Sequence, residues 1–82
     1  MWTKTLTTKF KGQAVFVQVW LNTTNENNQE EVKVQSMVNE YYLEETILFE
    51  DRDKAYDFIK NYPLSMANAF VLREAYSVGA IE

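Results

Sequence analysis

Carboxylates are the only side chains here that could carry acid–base chemistry, and their spacing suits it poorly. The clusters are Glu44-Glu45 and Glu50-Asp51 with Asp53. A glycosidase-type pair needs two carboxyls at a fixed separation across a cleft. A chain of 82 residues built as a sheet with two helices has little room for one. Asp51-x-Asp53 has the start of a calcium loop, but the central glycine and distal bidentate glutamate of that loop are missing. Helix capping and complement to the helix dipole account for both aspartates. There is no histidine and no cysteine, which removes zinc ligands and disulfides together. A serine or threonine nucleophile would have only lysine as its base, and no Ser-x-x-Lys occurs. The two glycines cannot build a phosphate loop. What the chain does have is 12 aromatics (2 Trp, 5 Tyr, 5 Phe), the residue types that dominate cores and protein-binding surfaces. The sequence therefore reads as a binding protein rather than an enzyme, with no cofactor and no metal.

The best binding signal is Tyr41-Tyr42 beside Glu40 and Glu44. Adjacent tyrosines on a strand point to opposite faces, so one of them is expected to be exposed. An exposed tyrosine ringed by carboxylates resembles a protein-recognition patch; the alternative is a tyrosine that covers a sheet edge. The candidate partner-binding set is Glu40, Tyr41, Tyr42, Glu44, Glu45, Glu50 and Asp53. Charge placement agrees. The formal net charge is −4, but residues 1–25 sum to +3 and residues 26–82 to −7. Such an acidic field repels nucleic acid and attracts basic surfaces, although a merely solubilising surface would look the same. Lys4, Lys9 and Lys11 with Trp2 and Phe10 hint at single-strand nucleic-acid binding by charge and stacking. Three lysines are too few for that in an acidic molecule, and they better suit protection of an edge strand. The expected partner is a protein with a basic surface, not nucleic acid and not a membrane.

The elements that must position these residues follow from periodicity. Thr3 to Phe10 reads as a strand, with Trp2, Leu6 and Phe10 on one face, Lys4 and Thr8 interrupting, and Thr3, Thr5, Thr7 and Lys9 opposite. Lys11-Gly12 is the hairpin signal. Gln13 to Leu21 is the strongest strand: Val15, Val17, Val19 and Leu21 share one face, and Ala14, Phe16, Gln18 and Trp20 the other. Both faces are largely apolar, which predicts a central strand with partial cover on its second side. Asn22 to Gln29 is a polar loop, expected to be the most mobile part. Glu31 to Val38 alternates again, with Val32, Val34 and Val38 inward. Beyond it, either the strand runs on through Tyr42 or the chain turns at Asn39-Glu40. Thr46 to Phe49 predicts a short fourth strand. Asp51 then caps a helix whose apolar side is Ala55, Phe58, Ile59 and Tyr62, ended by Pro63. Ser65 is the candidate cap of a second helix through Tyr76, with Gly79 near a C′ position. That helix is apolar nearly all round, which places it in a core or at an interface. Phe70 and Tyr76 are its candidate oligomer contacts. A fifth strand at Phe70 to Tyr76 is the rival reading.

No segment approaches the ~20 apolar residues of a membrane span. Met1-Trp2-Thr3-Lys4 lacks the apolar region of a signal peptide. A cytoplasmic location is the default expectation, and without a secretory signal Asn22-Thr23-Thr24 carries no meaning as a glycosylation acceptor.

The stretch Phe49-Glu50-Asp51 through Ala55, Phe58-Ile59 and Tyr62-Pro63-Leu64, leading into the second helix, resembles the architecture of small phage-encoded inhibitors of the anti-CRISPR kind. The likeness is one of element order over about the last 40 residues, without a motif, and it transfers no functional residue. It implies an antiparallel sheet packed on two helices, and binding to a larger host complex that is blocked sterically.

The reading is thus one α+β domain over residues 1–82: a three- to four-stranded antiparallel sheet with two C-terminal helices on one face. The expected core is Leu6, Val15, Val17, Val19, Val32, Val34, Leu48, Phe58, Ile59, Val71 and Ala75, with the face of the second strand that packs on the helices left open. The functional expectation is a non-enzymatic protein-binding inhibitor or adaptor. The alternative is a homo-oligomer, a dimer for example, assembled through the apolar second helix in a structural or accessory role.

Overall fold

The computed structural model describes residues 3–22 and 29–79. The elements are β1 (Thr3–Phe10), β2 (Gln13–Asn22), β3 (Glu30–Val38), β4 (Tyr41–Phe49), α1 (Arg52–Lys60) and α2 (Leu64–Ser77). Trp2 and most of the Asn-rich loop, residues 23–28, lie outside the described residues.

Two short turns determine the sheet. Lys11 and Gly12 have φ of 50° and 81°, and Asn39 and Glu40 have φ of 49° and 76°. Two successive left-handed residues twist a two-residue connection the way the flanking strands twist, so each pair closes a tight hairpin. Of the two sequence readings at Asn39, the turn is the correct one. The strand after it, β4, begins at Tyr41 and so is longer than the Thr46–Phe49 segment expected. These two connections make β1 pair with β2 and β3 with β4, and β2 pairs with β3 across the longer connection. The sheet order is β1-β2-β3-β4, antiparallel throughout, with Leu6 opposite Val17, Val19 opposite Val34 and Ser36 opposite Leu43. The architecture is the α+β one expected, in its four-stranded form.

Both helices pack on the face that carries Val15, Val17, Val19 and Leu21 of β2, Val32, Val34 and Val38 of β3, and Leu43 of β4. Ala55, Ile59 and Tyr62 come down from α1 and the residues after it, and Ala67, Phe70, Val71 and Ala75 from α2. Each large aliphatic or aromatic side chain buried this way contributes roughly 1.5–3 kcal/mol. Leu6 and Phe58, expected in the core, are only half-buried at its margin. Phe58 bridges Phe49 and Tyr62, with ring centroids 5.3 and 5.4 Å away. Leu48 corrects the expected core outright: it is exposed, because Ile47 and Phe49 take the inward phase of β4.

The helix ends show how the sequence signals resolve. Asp51 caps α1 as expected, its Oδ1 accepting the Lys54 N–H at 2.9 Å. Lys4, whose polar head interrupts the inward face of β1, reaches the other end of α1. Its Nζ donates to the carbonyls of Lys60 and Tyr62, both at 2.9 Å, placing a cation where the helix dipole is negative. Ser65 does not cap α2; the N-cap is Pro63, whose carbonyl accepts the N–H groups of Met66 and Ala67. Proline already holds the extended φ the cap position needs, so the helix starts at Leu64 and Ser65 falls inside it. Gly79, at φ 80°, closes the C-terminal end as expected. The rival fifth strand is not formed. Among the described residues no helix is long and apolar enough to cross a membrane.

Candidate protein-binding face

Because both helices lie on one side, the other face of the sheet has no cover among the described residues. It presents Thr5 and Thr7 of β1, Phe16, Gln18 and Trp20 of β2, Lys33, Gln35 and Met37 of β3, and Tyr42, Glu44 and Leu48 of β4. Of the second side of β2, Trp20 is half-buried, while Ala14, Phe16 and Gln18 are exposed. Phe16 is 62% exposed, Met37 63% and Tyr42 53%. These three, with Gln18, Gln35 and Ser36, line a shallow depression of about 200 Å³. Met37 and Tyr42 are direct cross-strand partners.

A polar stripe runs beside this apolar row. Trp20 Nε1 donates to Gln35 Oε1 at 2.9 Å, and Gln35 Nε2 donates to Glu44 at 3.4 Å. Lys33 Nζ sits between Glu31 at 3.0 Å and Glu44 at 3.2 Å, and also donates to Thr46 Oγ1 at 3.0 Å. The hydrogen bond from Lys33 holds the Glu31 carboxyl below its ordinary range, and the same bond pushes the Lys33 ammonium above its own. Desolvation, with the Glu44 charge adding to it, raises the Tyr42 phenol above its ordinary value. The stripe holds its side chains in one arrangement, which lowers the ordering cost of a partner docking on them.

β4 divides the expected partner-binding set. Tyr42 and Glu44 lie on the uncovered face. Tyr41 and Glu45 have the opposite phase. Glu45 is drawn to α2, where Arg73 Nη2 approaches it at 2.6 Å. That carboxylate is occupied in holding a helix to the sheet; desolvation raises the buried Tyr62 phenol, and the Glu45 charge adds to it. Both tyrosines are exposed rather than one, since Tyr41 opens an edge strand. Glu40 sits on the turn. Glu50 and Asp53 follow the far end of β4, on the order of 30 Å from Glu40 at a strand rise of about 3.3 Å per residue. Asp53 belongs to the first turn of α1. The fold thus brings Glu40, Tyr42 and Glu44 into one neighbourhood and leaves Glu45, Glu50 and Asp53 out of it.

Of the expected oligomer contacts, Phe70 is corrected: it is 1% exposed and part of the protomer's own core. Tyr76 is 68% exposed. Leu64, Met66 and Leu72 are also exposed on α2. The residues that sequence reasoning missed are Phe16, Trp20, Gln35 and Met37. For Phe16 and Trp20 the signal is the second largely apolar face of β2, which the alternation predicts to be partly covered; Gln35 and Met37 belong to the outward phase of β3. Among the described residues no group of histidine, cysteine, aspartate and glutamate side chains is gathered to hold a metal ion. No protein-family model, curated protein or solved structure matches this chain.

Proposed function

We propose that this protein is a non-enzymatic inhibitor or adaptor that lays its uncovered sheet face on a basic site of a larger protein and blocks it sterically. The observation that carries the reading is the row Phe16, Met37 and Tyr42, largely exposed on a face that both helices leave bare. Large apolar side chains grouped on a monomer surface mark interaction sites, and aromatic anchors beside polar groups are the usual hot-spot composition. Glu44 flanks the row and Glu40 stands at its end, so a basic rim on the partner would be met by opposite charge. The resemblance of the segment from Phe49 to Leu64 to phage-encoded inhibitors of the anti-CRISPR kind points to the same class of partner, a large host complex.

The test uses the whole chain as bait against a cell lysate at low and high salt, followed by biosensor kinetics on the protein retained. Phe16→Ser and Tyr42→Ala should each raise the off-rate at least about tenfold, and Glu44→Gln should lower the on-rate and flatten its salt dependence. If neither aromatic substitution changes retention, the sheet face is not the docking surface. The second reading, a homo-oligomer through α2, is favoured by exposed Tyr76 and Leu72. It requires a mass above one chain in solution that Tyr76→Glu reduces.

A further inference from the structure

β1 and β4 are the two edges of the sheet. Each presents an outer rim of backbone N–H and C=O groups with no neighbouring strand among the described residues, and such a rim templates pairing with another chain. The rims carry opposite charge. The charged residues of 3–13 are Lys4, Lys9 and Lys11, with Lys4 engaged by the carbonyls of Lys60 and Tyr62; those of 39–50 are Glu40, Glu44, Glu45 and Glu50, with Glu45 engaged by Arg73 and Glu44 beside Lys33. Like charges directly across a strand pair destabilise it and opposite charges stabilise it. Pairing β1 with β1 of another copy, or β4 with β4, opposes like charges. Pairing β1 with β4 lets unlike charges meet, Lys9 against Glu44.

Strand direction agrees. Three successive antiparallel pairings leave β1 and β4 antiparallel to each other. A second copy set beside the first in the same orientation continues the alternation, with its helices on the same side. Register agrees as well. Lys9 and Glu44 both point to the uncovered face. Setting them opposite each other aligns Phe10 with Leu43 and Leu6 with Ile47 on the helix-bearing face. In that register every residue of β1 has a partner in residues 43–50. Leu6 and Ile47 are each half-buried at their own edges, and the junction would cover both. A groove of about 560 Å³ between β1 and the Leu64 and Leu72 side of α2 leaves space beside the acceptor strand.

We propose that a second copy of this chain is the partner of these edges: the acidic β4 of one copy adds to the basic β1 of the next in the Lys9–Glu44 register. The contact is heterologous, so it propagates into a ring or an open array. It is independent of docking on the sheet face, and it would set the uncovered faces of successive copies side by side.

Sedimentation velocity on the whole chain over a wide concentration range tests it, with Lys9→Glu, Glu44→Lys and the double variant. The parent should gain mass with concentration. Each single reversal should weaken association roughly tenfold, and the double variant, in which the charges are exchanged, should regain it. A zero-length carbodiimide cross-link between Lys9 and Glu44 should join isotopically distinct chains. Unchanged circular dichroism and melting temperature confirm that Lys9→Glu is folded, should Glu44→Lys suffer from facing Lys33. A parent that is monomeric at every concentration overturns the proposal. So does an assembly that ignores both reversals, or one that Tyr76→Glu abolishes, which would move the contact to α2. None of these outcomes depends on whether Phe16→Ser affects a foreign partner.

Discussion

Phe70→Ala separates a core role for the second helix from an interface role. The ring is 1% exposed and lies among Val71, Ala67 and the sheet valines of the core. Truncating a buried phenylalanine removes its transfer free energy and leaves a cavity, at a cost of about 3–5 kcal/mol. A chain of 82 residues has a total stability of roughly 4–12 kcal/mol at about 0.05–0.15 kcal/mol per residue. The substitution therefore removes a large share of it. With a urea m-value of about 1–2 kcal/mol/M for a small domain, the unfolding midpoint should fall by about 1.5–5 M. The assay is urea unfolding of parent and variant by circular dichroism at several protein concentrations, with Tyr76→Ala as the exposed control, expected within ~0.5 kcal/mol of the parent. The loss from Phe70→Ala should be the same at every concentration, because the ring is covered by its own chain. A loss below about 1 kcal/mol, or one that shrinks on dilution, would refute this reasoning and return Phe70 to a subunit contact.

Glu40→Gly should stabilise the protein by about 0.5–1 kcal/mol, read as a rise in melting temperature. Glu40 is held at φ 76°, where a side chain costs roughly 1–2 kcal/mol and glycine almost nothing. A variant no more stable than the parent would show that the glutamate side chain compensates for its backbone. The Glu31–Lys33 pair should appear as a plateau in stability against pH. Glu31 is held below its ordinary value of 4.5, so its contribution is complete above that pH and disappears as the pH falls further. Lys33 is raised above its ordinary value of 10.5, so its contribution is complete below that pH and is lost as the pH climbs past it. The midpoint difference between parent and Lys33→Met should be constant near neutrality and narrow at both extremes. A constant difference across the whole range would mean that Lys33 acts through packing of its stem alone.

The local and periodic features of this fold were legible in the sequence. Alternation exposes Val32, Val34 and Val38 as one face of a strand, Lys11-Gly12 announces its hairpin, and Asp51 lies directly before a helical period and caps it. All of these act over a few residues, so a window of sequence contains the whole cause. The absence of histidine and cysteine bounds the chemistry in the same way, since composition needs no fold to act. What only the tertiary structure decided is which of two similar faces the helices cover. Alternation divides β2 into Val15-Val17-Val19 and Phe16-Gln18-Trp20, both apolar enough to be buried, and the choice is made by residues more than 30 positions away. The same choice turns Leu48 outward, sends Glu45 to Arg73 and leaves Glu44 with Lys33. It also fixes Phe70, because a helix apolar nearly all round carries no record of which side meets the sheet. Lys4 shows the limit most directly. Its partners are carbonyls 56 and 58 residues further on, and nothing near Lys4 in the chain distinguishes a helix-capping lysine from a lysine in water.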